Sequence, residues 1–354
     1  MKRYALFILS ALILSAGCDV VEPLPGEPPG REAYASVRLR MQSCPAGTRS
    51  GSEDAIYDGI VLQFDKEGTL LDMVQFTGDV LPEMQVRKNQ EIELYIVANP
   101  TVDLSGVTSR QDFFSTQSDY KANTSEKMEM KGYVSGIFDR DSVVSVNMER
   151  MLSKITLGAF VIKVNTASDK YTSASFQRAY MERTPVSCGY DHTPSGEYLD
   201  AYSQRISLGY YNSYPGFANK YSQGDYLVWE YNYPQSVYCY PNASESRSER
   251  NRFRVMCRLS YTYTGIDAAT GETVVMSHRD ESYVRLVLPP MIPNTAYELE
   301  RLTINGYKGK VVYLENRRIG EEKPLTCSFR MTDMTSGKYL GTIEGEVEYE
   351  MVDS

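Results

Sequence analysis

Tryptophan occurs once and histidine twice in 354 residues, and each scarcity excludes something. His192 and His278 stand far apart and form no helical pair at metal-ligand spacing, so a histidine-based metal centre has nothing to be built from. The six cysteines include no Cys-x-x-Cys pair, which argues against zinc. A Gly-x-Ser-x-Gly elbow and a glycine-rich phosphate loop are both missing. So is positive charge: 37 Lys and Arg face 46 Asp and Glu, a net charge of −9. Such a chain is unsuited to replacing counterions along a nucleic acid or to docking on anionic lipid through basic patches. Carboxylate pairs such as Asp139 and Asp141 are expected as solvated turn residues. The expectation is no catalysis, no metal, no cofactor and no nucleic-acid partner.

What is present begins at the first residues. Lys2 and Arg3 precede an apolar run, Tyr4 to Leu14, then Ser15, Ala16, Gly17 and Cys18. A basic start, a short apolar core and small residues make a secretory signal. The run is too short to span a bilayer, which takes about 20 residues. A cysteine directly after the small residues fits the lipoprotein form of that signal, with Cys18 lipidated and the outer membrane reached through that anchor. One departure is Ser15, where leucine is usual. Residues 1–17 read as the signal and 18–34 as a lipidated tether, whose prolines and glycines keep it extended. Five cysteines remain after Cys18, so an exporting route permits a bridge or two and leaves a thiol over. Their connectivity stays open.

From residue 35 the chain reads as all-β. Tyrosine is abundant, at 28 residues, and short alternating runs recur between Gly, Asn, Asp and Pro. Ala35 to Met41 alternates with Val37, Leu39 and Met41 on one face. Gly59 to Phe64 turns at Asp65-Lys-Glu-Gly68 and returns through Thr69 to Phe76. Glu91 to Ala98 is a strand closed by Asn99-Pro100, and a short helix is expected between Ser109 and Tyr120. Strands follow at Met128 to Val134, Val143 to Met148 and Lys154 to Val164. The texture then becomes tyrosine-rich from Tyr171 to Tyr240, so a boundary is placed near 157, giving domains 35–157 and 158–354. Later strands are expected at Tyr226 to Tyr231, Phe253 to Tyr263, Thr273 to Met276 and Tyr283 to Leu288, then in four runs down to Val352. The last, Thr342 to Val352, sets Ile343, Val347, Tyr349 and Met351 on one face, with Gly345 between, and Glu344, Glu346, Glu348 and Glu350 on the other.

Several of these pieces occur in the order seen in the fimbrillin family, the subunits of type V pili. They are Ile60 to Gly68, Leu94 to Pro100, Met130-Lys-Gly132, Met148 to Leu157, Ile292 to Tyr297 and Leu302 to Gly306. The chain resembles that family along most of its length after Cys18. The resemblance implies two transthyretin-like β-sandwich domains, lipoprotein export, a fimbrial subunit or anchor, and other fimbrial subunits as partners. It also implies assembly by strand exchange: a trypsin-like protease cuts after an arginine behind the first strand, and another subunit's strand fills the opened groove. The matching arginine is Arg49, in the polar loop Ser43 to Glu53; Arg31 in the tether is a second reachable candidate. The last strand is a donor in this reading, or else a permanent edge strand. Asp141-Ser142-Val143 is similar to a short O-glycosylation acceptor motif of such bacteria. The rival reading is a stand-alone surface lipoprotein that binds glycan or a host or bacterial surface ligand through its tyrosine-rich domain.

Overall fold

The computed structural model describes residues 34–41, 55–165, 171–199, 205–206, 218–231, 235–308, 311–314, 317–318 and 325–352. Cys18, Arg31, Cys44 and Arg49 lie outside them. The fold is all-β. The first domain contributes β1 (Tyr34–Met41), β2 (Asp58–Asp65), β3 (Leu70–Thr77), β4 (Glu83–Arg87), β5 (Glu91–Ala98), β6 (Gln117–Asp119), β7 (Met130–Ile137), β8 (Ser142–Val146) and β9 (Met148–Arg150). Helix α1 (Arg110–Ser115) lies between β5 and β6, and Ser109 caps it by accepting from the amide of Asp112.

Two sheets face each other here. One has the order β4-β1-β8 and the other β3-β2-β5-β7-β9. Alternation explains which residues meet. Ala35, Val37, Leu39, Met84, Val86 and Val146 from the small sheet pack on Val61, Phe76, Ile92, Leu94, Ile96 and Met148 from the large one. The middle of β2 and the second half of β5 are buried on both faces, which is why Ile60-Val-Leu62 and Leu94 to Ala98 are continuous apolar runs. Their second face, Ile60, Leu62, Phe64, Tyr95 and Val97, packs on Phe113 of α1 and on Cys188, Tyr190 and Tyr240 from far down the chain.

The second domain holds β10 (Ser153–Asn165), β11 (Ser173–Glu182), β12 (Ser187–Gly189), β13 (Arg205–Ile206), β14 (Ala218–Gln223), β15 (Tyr226–Tyr231), β16 (Gln235–Cys239), β17 (Arg252–Ile266), β18 (Thr273–Val287), β19 (Thr295–Lys308), β20 (Val311–Leu314), β21 (Arg317–Arg318), β22 (Leu325–Asp333) and β23 (Tyr339–Val352). One sheet runs β13-β11-β17-β18-β23-β22-β19-β10-β15-β14 around a core that includes Phe160, Trp229, Phe253, Leu286, Tyr297, Phe329 and Val347. β10 runs unbroken through residue 157 and belongs wholly to this sheet. Residue 157, near which the change of texture falls, therefore lies inside a strand. Thr273–Val287 is likewise one strand where two are expected, because its polar middle is held by a continuous ladder to β17.

Candidate functional site

The first strand fills a slot in its own domain. β1 is bonded on both sides, antiparallel to β4 from Tyr34↔Arg87 to Arg38↔Glu83, and parallel to β8 from Val37↔Ser142 to Met41↔Val146. Ala35 and Val37 are fully buried and Leu39 nearly so. Outward residues meet an acidic rim. The amide of Ser36 donates to Asp141 Oδ1 at 2.7 Å, its hydroxyl donates to Glu83, and Arg38 Nε lies 2.8 Å from Glu83 Oε2. Those two donors hold the Glu83 carboxyl below its usual range. Without β1, β4 and β8 would each present an unpaired backbone edge beside an uncovered apolar strip. Ser142, the hydroxyl of the expected glycan acceptor, is buried beside β1 in this fold, which corrects that reading: a sugar cannot reach it in the folded chain.

Where the described chain resumes after β1, at Ala55 to Tyr57, it is clamped by Asn99. This residue is fully buried with φ 54°, a left-handed conformation that asparagine tolerates better than most. Its side chain accepts from the amide of Tyr57 at 2.9 Å and donates to the carbonyls of Ala55 at 2.8 Å and Met128 at 2.9 Å. Asn294 plays a matching part in the second domain, at φ 54°. Its side-chain oxygen accepts from Thr335 Oγ1 at 2.9 Å and from the Arg150 amide at 3.3 Å, and its nitrogen donates to Asp333 at 2.9 Å. Both asparagines stand in segments that carry the fimbrillin resemblance.

The last strand is placed differently from an edge. Residues of β23 from Tyr339 to Val347 pair with β22, and those from Glu346 to Val352 pair with β18. The expected edge position is therefore corrected: alternation fixes which face is buried and leaves a strand's neighbours undetermined. Val347 is buried and Ile343 half-buried against the core, while Tyr349 and Met351 stand in register with Val284 and Ser282. At Gly345 the Phe329 ring takes the place of a side chain. A Cβ there would come within 2.7 Å of that ring and 2.8 Å of the Val287 carbonyl oxygen. Gly345→Ala should cost about 1–3 kcal/mol through this overpacking, measured by chemical denaturation. Unchanged stability would show the contact to be slack.

A buried polar cluster joins the two domains, and sequence reasoning missed it. Glu129 is fully buried, just before β7. Its carboxylate accepts from the Thr101 amide at 3.0 Å, from Tyr190 OH at 2.5 Å and from the Ser118 hydroxyl, which also bonds Tyr240 OH. The tyrosines belong to the second domain and the other groups to the first. Beside them, β12 pairs with β6, and Lys131 Nζ lies 2.9 Å from His192 Nε2. Burial lowers the pKa of His192 to about 4 and raises that of the Cys188 thiol to about 12, so neither is poised for chemistry. Cys188 and Cys239 are buried free thiols.

Burial raises the Glu129 carboxyl above its ordinary value of 4.5, against hydrogen bonds that pull it down. A carboxyl raised on folding contributes stability that is fully present below the unfolded value and is lost as pH rises through the folded one. The stability of the parent relative to Glu129→Gln should therefore decline as pH rises from about 4. Thermal melts of both proteins across that range test this, and a pH-independent difference would contradict it.

Among the described residues no group of His, Cys, Asp and Glu could hold a metal, and no helix is long and apolar enough to cross a membrane. The fold and the slot define a class: a two-domain all-β chain whose first sandwich is completed by its first strand. No family model and no curated protein matches the chain. Solved structures do. A "putative cell adhesion protein" from Bacteroides eggerthii aligns with TM-score 0.50 and 12% identity over 92% of this chain and 97% of that one. One of the same description from Parabacteroides distasonis aligns with TM-score 0.50 and 12% identity over 91% and 97%. A fimbrilin from Porphyromonas gingivalis aligns with TM-score 0.48 and 10% identity over 78% and 90%. The first two demonstrate a shared fold across both domains, consistent with the fimbrillin resemblance.

Proposed function

We propose that this protein is a structural or anchoring subunit of type V fimbriae. It is held at the outer membrane through lipid on Cys18 and joined to other subunits by strand exchange in cell adhesion. The observation that carries the reading is the position of β1. It is the central strand of its sheet, it supplies buried residues to the core, and the loop holding Arg49 follows it directly. A cut after Arg49 leaves β1 held only by non-covalent contacts, so it can be lost or replaced. Tethered, it competes at the millimolar effective concentrations of a short linker; cut, it competes at its own dilute concentration. The incoming strand gains both the two backbone ladders and the apolar floor. The last strand, with Ile343, Val347, Tyr349 and Met351 on one face, is the candidate donor toward another subunit, once it leaves β18 and β22.

The glycan-binding alternative rested on the tyrosine-rich stretch. Of the described tyrosines in that stretch, Tyr171, Tyr190 and Tyr240 are buried in the core or the junction and are spent on packing, while Tyr221 is exposed. Two experiments test the proposal. Arg49→Ala should abolish the size drop that mild trypsin-like treatment produces in the parent; continued cutting between residues 43 and 53 would move the processing site elsewhere. Cys18→Ala should incorporate no labelled palmitate, and labelling of that variant would remove the anchor.

A further inference from the structure

The first strand meets carboxylates, and the last strand carries them. The inward residues of β1 grow along the strand, from Ala35 through Val37 and Leu39 to Met41. The outward ones are Ser36, Arg38 and Arg40, and the first two meet an acidic rim. Glu83 bonds both Ser36 and Arg38, and Asp141 accepts from the Ser36 amide and adds to the field that favours charged Arg38. Arg87 stands opposite Tyr34, at one end only. The last strand is the reverse. Along it Glu344, Glu346, Glu348 and Glu350 alternate with Gly345, Val347, Tyr349 and Met351; Arg247 Nε lies 2.9 Å from Glu346 Oε2, and the register sets Arg285, which also pairs with Glu182, opposite Glu348.

We propose that the slot between β4 and β8 selects its occupant by charge. It takes an extended segment of a different subunit, with small and then larger apolar residues at alternate positions and neutral or cationic residues between them. It refuses the last strand of a second copy of this chain. The proposal rests on the strand-exchange reading and sharpens it, from exchange in general to exchange between unlike subunits. Backbone hydrogen bonds and apolar burial are available to any alternating strand, so they cannot discriminate. Charge can. A self-derived donor would put glutamates where Ser36, Arg38 and Arg40 now stand, against Glu83 and Asp141, and like charges set opposite each other across strands repel. The exposed Arg38–Glu83 pair contributes little attraction by itself. Specificity comes chiefly from the repulsion that a wrong strand meets. By the same logic the last strand, if donated, suits a slot with a basic rim on another subunit.

The test uses the full chain cut once between residues 42 and 54, with three fluorescent peptides. One is the Tyr34–Met41 sequence, the second is the same with Ser36, Arg38 and Arg40 replaced by Glu, and the third is the Gly341–Val352 sequence. At low salt the first should bind at least about tenfold more tightly than the other two, and the gap should shrink at high salt. Glu83→Gln combined with Asp141→Asn should raise the affinity of both acidic peptides while the first still binds. Equal binding of the first two peptides, or no response of the acidic ones to the double variant, overturns selection by charge while exchange itself stands. A cut chain that takes up none of the three overturns the exchange reading and this inference with it.

Discussion

Tyr190→Ala should lower the stability of the whole chain by about 3–5 kcal/mol, the usual cost of removing a large buried side chain. Tyr190 is fully buried, and its ring stacks on Phe113 of α1 with centroids 4.7 Å apart. The variant thus opens a cavity under the second face of the β2–β5 sheet. It also removes a direct donor to Glu129, leaving a buried carboxylate with fewer partners. Tyr190→Phe separates the two effects. It keeps the ring and loses the hydroxyl, so its cost should be about 1–3 kcal/mol, the range for leaving a buried polar group without its partner. Denaturant unfolding of both variants checks this. If Tyr190→Ala costs no more than Tyr190→Phe, packing at the junction contributes nothing and the cluster is purely polar.

Asn99→Ala should cost about 3–4 kcal/mol, since three side-chain hydrogen bonds are lost at about 1 kcal/mol each and alanine is poorly suited to the left-handed backbone. Asn99→Gly keeps the backbone comfortable and loses the bonds, so it should be milder by about 1 kcal/mol. The effect reaches the segment that follows the proposed cut. Ala55 and Tyr57 are the first described residues after the Arg49 loop, and Asn99 holds both. On the proposed reading, a cut between residues 42 and 54 frees β1 while this clamp keeps the chain from Ala55 onward seated. In Asn99→Ala, limited proteolysis should begin to cut beyond residue 55. Cutting confined to residues 42–54 in the variant would show that the clamp has no part in limiting release.

Much of this was legible in the residues. The apolar-rich runs of β2 and β5, the Asp65–Gly68 turn, the short helix after Ser109 and the alternation of the last strand all speak through local sequence, and these strands lie where it puts them. What stayed hidden depends on distant partners. Glu129 looks like one more acidic residue until Tyr190, 61 positions further on, meets it. β4 is short and lies in polar text, and it is a strand because β1 needs a neighbour. Gly345 reads as a gap in an apolar face, and the Phe329 ring that fills it is visible only once β22 and β23 pair. The acidic rim of the first slot emerges from Glu83 and Asp141, which are remote in sequence from the strand they frame.

The central claim is that β1 is the separable strand of a slot bounded by β4 and β8. Hydrogen exchange by mass spectrometry, on the full chain before and after a single cut between residues 42 and 54, tests it most directly. The account predicts that amides of Glu83–Arg87 and Ser142–Val146 lose protection after the cut and regain it when the Tyr34–Met41 peptide is added in excess, while β2 and β5 stay protected throughout. Unchanged protection of β4 and β8 after cutting, or loss of protection across the whole first domain, would contradict it.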